Sequence, residues 1–259
     1  MKNNETLLKV QRQAQIRRMV EEQGQVTVTE LSPLFNVSEA TIRRDLEECS
    51  DRGWMRRTHG GAVKVERAGK EPPILERVNR NASAKERIGQ KAADMIHDGE
   101  TIFLGSGTTV LEIAKHLPFD ISLTVITNSL LLIDELTARP NIEIIVIGGM
   151  LRRSELSMVG HIANQDVQEF RADRVFMGIR AADPTHGFTN DHLPEAVVDR
   201  EILKIAPEIV FVLDHEKFSK VSSVLVAPAN AIDVIITDVE APDDVVSTFR
   251  DMMIKVYRV

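Results

Sequence analysis

Residues 38–61 read SEATIRRDLEECSDRGWMRRTHGG. Ser38 is a residue type that caps a helix N-terminus, because its hydroxyl accepts from an unsatisfied amide one turn in. Ile42, Leu46 and Cys49 follow at i, i+4 and i+7, so one face is apolar and packs inward. Thr41, Arg43 and Arg44 fall off that stripe, near the helix start. Arginine grips guanine bidentately and threonine touches base or phosphate, so such a helix suits a DNA major groove. Gly53 ends the helical region. Residues 54–63, WMRRTHGGAV, place strand formers around a Gly-Gly turn. That pattern reads as a wing, with Arg56, Arg57 and His59 set to meet backbone or minor groove.

The residues upstream complete a three-helix unit. Over 6–22, Leu7, Val10, Ile16, Met19 and Val20 predict an amphipathic first helix that Gly24 stops. Thr27-Val28-Thr29-Glu30 has the pattern of a capping box for a second helix carrying Leu31, Leu34 and Phe35. Pro33 removes an amide donor inside that helix and predicts a short or bent one. Asn36-Val37 makes the turn before Ser38. Two adjacent arginines alone would read as a solvated helix face. The cap, the wing and the upstream helices together reverse that reading.

Charge makes the footprint local. Residues 1–67 hold 12 Lys+Arg against 10 Asp+Glu, and the remainder holds 20 against 29, within a chain of net charge −7. An acidic body does not draw DNA to itself. The 259 residues allow two domains, and 43% hydrophobic content with only 4% aromatic predicts an aliphatic core. A single cysteine, Cys49, excludes an internal disulfide framework and a cysteine zinc site. Its place on the apolar helix face predicts a buried thiol. The polar start shows no signal peptide, and no apolar run approaches the roughly 20 residues of a membrane helix. A cytoplasmic protein is expected.

Residues 64–83 are polar and broken by Gly and Pro, and are expected to form a linker; Ile74, Leu75 and Val78 mark where packing resumes. From 84 the pattern alternates. A helix through Ile88 and Ile96, a strand at 101–104 and a helix through Val110 and Ala114 come first. Apolar runs follow at 123–127, 142–147, 174–177, 208–213 and 232–237, with helices at 129–138 and 194–206. Continuous apolar strands separated by helices predict a mainly parallel sheet covered on both faces. Ligands in such sheets bind at the C-terminal strand ends.

Those ends carry suitable chemistry. Gly105-Ser106-Gly107-Thr108-Thr109 offers glycines that admit an anion, hydroxyls that donate and a helix N-terminus. It is not a dinucleotide fingerprint, because Val110 takes the third glycine's place, and it carries no Walker lysine. Its bland alternative is a tight strand-to-helix turn. Thr127-Asn128-Ser129 and Gly148-Gly149 end the next two strands, and 178–183, GIRAAD, a later one. Asp214-His215-Glu216-Lys217-Phe218 offers an ammonium from Lys217, with Asp214 to orient it; an ion pair at a helix start is the alternative. Adjacent residues in an irregular turn rarely converge on one ion, so no metal is expected at His215, and no cofactor elsewhere.

The stretch 26–63 resembles the winged helix-turn-helix of the DeoR family of bacterial regulators, above all in TIRRDL and R-x-HGGA. The likeness runs nearly to the C-terminus through GSGTT, TNS, IGG, FMGI, D-x-x-K-F and ITD. That half is similar to the family's effector domain, whose fold is like type A ribose-5-phosphate isomerase. The resemblance implies a repressor, less often an activator, that binds palindromic operators as a dimer or larger homo-oligomer and responds to a phosphorylated sugar, sugar acid or related metabolite. It implies effector contacts at Ser106, Gly107, Thr108, Thr109 and Lys217, and an acid from the 178–183 loop, Asp183. The chain departs from the pattern at Pro33 and Cys49. It also lacks a glycine near Ala181 and a lysine near Asp199, which makes the pocket more negative.

The expected architecture is therefore α/β: a winged helix-turn-helix domain at 1–63, a linker at 64–83 and an α/β effector-binding domain at 84–259. The expected DNA contacts are Ser38, Thr41, Arg43, Arg44, Arg56, Arg57 and His59. The expected effector contacts are Gly105, Ser106, Gly107, Thr108, Thr109, Asn128, Ser129, Gly148, Gly149, Asp183 and Lys217. Two alternatives compete with a transcriptional regulator. A phosphosugar isomerase with an accessory head needs a general base, for which Glu195, Asp199 and Glu201 all qualify. A non-specific nucleoid protein suffers from the acidic body.

Overall fold

In the computed structural model, which describes residues 8–69 and 71–259, the chain divides at Arg67 into two units. Leu7 of the expected first helix and Lys70 of the expected linker lie outside the described residues.

The smaller unit runs α1 (Lys9–Gln23), β1 (Gln25–Thr27), α2 (Val28–Phe35), α3 (Glu39–Asp51), β2 (Arg56–Thr58) and β3 (Gly61–Val63). Thr27 Oγ1 accepts from the Glu30 amide at 3.2 Å and Glu30 Oε2 from the Thr27 amide at 3.0 Å, a complete capping box. The helix is short, as Pro33 predicted, and ends at Asn36 in the left-handed region. Ser38 caps α3 by accepting from the Thr41 amide at 3.2 Å. Ile42, Leu46 and Cys49 are fully buried with Ile16, Leu31 and Met55.

The inner face of α1 differs from expectation. Val10 is 75% exposed, while Arg12 and Gln13 are buried. The reason lies across the unit on α3. Asp45 is buried, and its carboxylate accepts from Arg12 Nε at 2.5 Å and Gln13 Nε2 at 3.2 Å. A buried carboxylate requires such partners. The three strands form a small antiparallel sheet in the order β1-β3-β2. Gly61 is required there, since a Cβ would stand 1.9 Å from the Val26 carbonyl oxygen.

The larger unit is built on seven parallel strands. They are β4 (Thr101–Leu104), β5 (Leu123–Thr127), β6 (Ile142–Val146), β9 (Arg174–Met177), β12 (Glu208–Val212), β14 (Val234–Thr237) and β15 (Lys255–Arg258). Their order is β15-β14-β12-β9-β4-β5-β6, every pair parallel. One face packs on α5 (Ala82–Ala93), α6 (Thr108–His116) and α7 (Leu130–Thr137) through Ile88, Val110 and Leu132. The other packs on α8 (His161–Gln168), α9 (Leu193–Ile202) and α10 (Asp243–Asp251) through Val167, Val198 and Phe249. Burial on both faces accounts for the continuous apolar strands. An antiparallel hairpin of β7 (Met150–Arg152) and β8 (Ser157–Val159), and a small antiparallel sheet of β10 (Ala181–Asp183), β11 (Gly187–Asn190) and β13 (Val224–Ala227), were not anticipated.

Strand order reverses at β4/β9. The chain steps outward from β4 to β5 and β6, and later from β9 to β12, β14 and β15. A crevice opens at such a switch point, beyond the C-terminal strand ends. The segment read as linker contributes here. A short helix, α4 (Ile74–Arg77), and the start of α5 belong to the larger unit, with Ile74 and Arg77 buried.

Candidate functional site

On the smaller unit, the start of α3 and the β2–β3 wing present polar side chains. Arg43, Arg44 and His59 are exposed, and Thr41, Arg56 and Arg57 half-buried. The Thr41 hydroxyl lies 2.9 Å from that of Ser38, which is itself the helix cap. Arg43 pairs with Glu39 one turn back at 2.9 Å. Arg57 donates to the Arg43 carbonyl at 2.6 Å, which ties wing to helix. Behind the wing, the Trp54 ring is flanked by Arg17 and Arg52 at 5.0 and 5.1 Å. Of the expected residues, Ser38 is committed to capping, and the others gather on α3 and the wing.

On the larger unit, a pocket opens at the β4/β9 switch point. It is lined by residues 105–109, by Asn128 beyond β5, by 177–180 at and beyond the end of β9 and by 212–214 and Lys217 at and beyond the end of β12. Gly107 has φ +144°, a conformation that side chains rarely adopt. Gly105 stands against β9, where a Cβ would meet Met177 at 3.2 Å. Helix geometry leaves the first amides of α6 without intrahelical acceptors, and Thr108 and Thr109 of that first turn line the pocket. The Ser106 hydroxyl is already used, donating to the Glu155 carbonyl at 3.0 Å.

Opposite these donors stand cations and carboxylates. Asp214 accepts from the Glu216 amide at 3.1 Å and shapes the turn that carries Lys217. Arg77 bridges Glu71 and Glu155. Lys85 is buried and donates to the Arg77 carbonyl at 2.6 Å; burial pulls its ammonium below the ordinary range, against the neighbouring Asp214. Burial raises the Glu155 carboxyl to about 7, with Glu71 and Glu195 adding to the effect and Arg77 opposing it. Further in, Asn190 Nδ2 donates to Glu195 at 2.9 Å and to Asp199 at 3.1 Å. Burial first, then the Glu195 charge, pushes the Asp199 carboxyl well above the carboxylate range. Arg152 pairs with Glu195. Two buried acceptors of the pocket, Asn128 Oδ1 and Glu155 Oε1, have no hydrogen-bond partner among the described residues.

Not every expected residue lines this pocket. Ser129 is fully buried beside β5 and takes its place in the β5–α7 turn, where its amide donates to Thr127 Oγ1 at 3.1 Å. Gly148 and Gly149 serve close packing. The Gly148 amide donates to Asp166, and a Cβ at Gly149 would meet the Val159 carbonyl at 2.9 Å. Asp183 is fully buried and shapes the β10–β11 turn by accepting from the amides of Thr185 and His186, each at 3.0 Å. Of the three possible general bases, Glu195 and Asp199 line the pocket, whereas Glu201 pairs with Lys204 at 2.6 Å and accepts from Gln168. His215 is held by Asp238 at 2.9 Å. Among the described residues no cluster of His, Cys, Asp or Glu could hold a metal ion. Sequence reading missed Glu71, Arg77, Lys85 and Glu155, and placed Arg180 only within the 178–183 strand end. Their long-range pairing leaves no trace in local periodicity.

Comparison with known proteins agrees with both halves. A model of the DeoR-like helix-turn-helix domain matches residues 12–68, and one of the DeoR C terminal sensor domain matches residues 80–239. The chain belongs to the DeoR family. Full-length relatives agree. The transcriptional repressor AccR of Agrobacterium fabrum is 34% identical over 88% of each chain. The HTH-type transcriptional regulator GolR of Listeria innocua is 32% identical over 93% of this chain and 95% of its own. The HTH-type transcriptional regulator GlpR of Haloferax volcanii is 34% identical over 90% of this chain and 91% of its own. This DeoR-family chain is a DNA-binding transcriptional regulator, and the isomerase alternative is not favoured. Among solved structures, ribose 5-phosphate isomerase A of Methanocaldococcus jannaschii aligns with a TM-score of 0.40 and 16% identity over 53% of this chain and 55% of that one, too distant to bear on the pocket.

Proposed function

We propose that this DeoR-family regulator represses a carbohydrate-metabolism operon and is relieved by a phosphorylated sugar or related metabolite. One observation carries the ligand reading: the glycine-rich turn and α6 N-terminus share a single pocket with Lys217, Arg77 and Arg180. Amide donors at a helix N-terminus and fixed cations suit a phosphate. The unpartnered acceptors Asn128 Oδ1 and Glu155 Oε1 suit the hydroxyls of a sugar. In this reading Gly105, Gly107, Thr108, Thr109 and Lys217 hold the phosphate. Ser106 fixes the loop, and Asn128, Glu155 and Asp199 meet the polyol.

The DNA contacts proposed are Thr41, Arg43 and Arg44 to the major groove and Arg56, Arg57 and His59 to the backbone, with Ser38 supporting the helix. Paired heads on a homo-oligomer, in the cytoplasm, would read a palindromic operator. No helix among the described residues is long and apolar enough to cross a membrane. The test is thermal stability against a panel of phosphorylated sugars and sugar acids, each beside its unphosphorylated partner. A ligand at 100 times its Kd stabilises by about 2.7 kcal/mol. The active compound should also release operator DNA. Equal response to both members of every pair would overturn the phosphate reading.

A further inference from the structure

Three cations of the pocket are engaged by a carboxylate of the chain itself. Glu71 Oε1 lies 2.5 Å from Lys217 Nζ, 3.0 Å from Arg77 Nη1 and 3.5 Å from Arg180 Nη1. Its side chain is only 11% exposed. Burial alone would raise the Glu71 carboxyl, but Lys217 and Arg77 outweigh burial and hold it below the ordinary range. One carboxylate oxygen facing three cations is the arrangement that an anionic ligand would adopt.

The same guanidiniums also grip the backbone on either side. Arg180 Nη2 donates to the Gly69 carbonyl at 2.5 Å, and Arg77 Nε to the Pro72 carbonyl at 2.9 Å. The Ala68 amide donates to the Val221 carbonyl at 2.9 Å. This segment follows directly on Arg67, the last residue of the DNA-binding unit. A short strap is therefore fastened over the pocket by groups that the pocket offers to an anion.

We infer that Glu71 stands in for an oxyanion of the effector, so that a phosphate gains Lys217 and Arg180 only by displacing Glu71 and releasing the ties at Gly69 and Pro72. The inference rests on the phosphate reading above and adds the means by which occupancy is passed to the chain entering the DNA-binding unit. The exchange is chemically favourable in direction. A phosphate brings up to two charges and three strong acceptor oxygens to three cations, where Glu71 brings one charge. A ligand shifts such an equilibrium by its differential affinity for the two states, and in the fastened state Lys217, Arg77 and Arg180 are already paired with Glu71.

The experiment uses the full chain and inorganic phosphate, titrated calorimetrically. Where the fastened state dominates by ten to one, apparent affinity is reduced about ten-fold, so Glu71→Gln should bind phosphate about ten-fold tighter than the parent. Glu71→Asp keeps the charge, shortens its reach and should fall between them, which covers the case where the amide variant folds poorly. Trypsin supplies the second readout. Phosphate should speed cleavage after Arg67 in the parent chain, and Glu71→Gln should be cleaved at the fast rate without it. If both variants bind phosphate no tighter than the parent, Glu71 is a structural tie and the inference falls while the pocket reading stands. If no form binds phosphate, both fall together.

Discussion

Arg43 and Arg44 are neighbours with different local obligations. Arg43 is paired with Glu39, and its carbonyl receives Arg57 from the wing, so its side chain must leave an ion pair to reach a base. An exposed i,i+4 pair is worth only about 0.3–0.5 kcal/mol. A bidentate guanine contact discriminates by about 1–3 kcal/mol, so base reading wins. Replacing either arginine by alanine should weaken operator binding by about that amount and relax selectivity at one base, measured by anisotropy on operator and single-base variants. Removing Arg56 should weaken all sequences alike. Unchanged affinity in both Arg43→Ala and Arg44→Ala would sink the assignment of α3 as reader. In the other unit, Glu155 makes a pH prediction. Its carboxyl is raised from 4.5 to about 7, so the folded state holds a proton that the unfolded chain releases earlier. The stability it contributes is complete below about pH 4.5 and is lost as pH rises towards and through about 7. Melting curves from pH 4.5 to 8 should show a decline that Glu155→Gln reduces; identical pH profiles for the two would refute the burial account.

At the scale of elements, α5 and α6 are held close enough that one glycine decides their spacing. A Cβ at Gly89 would come within 2.5 Å of Glu112 Cβ and 2.6 Å of the Glu112 carbonyl carbon. Backbone cannot yield as a side chain can, so Gly89→Ala should destabilise by about 1–3 kcal/mol through overpacking, against the small gain that alanine usually brings to a helix. Urea denaturation measures this, and a stabilised variant would contradict the packing described. α6 begins at the glycine-rich turn, so the same variant should loosen the pocket. Elements such as these were legible where one periodicity ran unbroken. Ile42, Leu46 and Cys49 marked the buried face of α3, and the apolar runs marked six of the seven strands of the main sheet. Val10 is apolar yet faces outward, because the buried Asp45 on α3 demands Arg12 and Gln13 on the inner face. The β7–β8 hairpin went unread because its strands are three residues each, too short for alternation to register. Glu71 was hidden for a related reason. A polar segment broken by prolines resembles a linker until its ion-pair partners, Arg180 and Lys217, are brought to it by folding.

For the whole molecule, charge separates the two units and bears on how DNA is found. The chain carries a net −7, yet residues 1–67 carry two more cations than anions. Non-specific affinity is almost entirely counterion release, falling about 0.9 log units per log unit of salt for each phosphate neutralised. A small basic face on an acidic body therefore has little sequence-independent affinity to draw on. What remains is readout, which requires the helix start and the wing to be held in register, and the Arg57 bond to α3 supplies that. Random duplex should accordingly be released by about 0.2 M salt while the operator is retained, since specific sites exceed non-specific ones by about 4–10 kcal/mol. Titrating both duplexes across salt concentration decides the matter. Parallel loss of operator and random DNA would restore the nucleoid reading and remove the need for a base-reading helix. Divergence would show that selectivity comes from contacts on α3, with the acidic larger unit suppressing adhesion elsewhere.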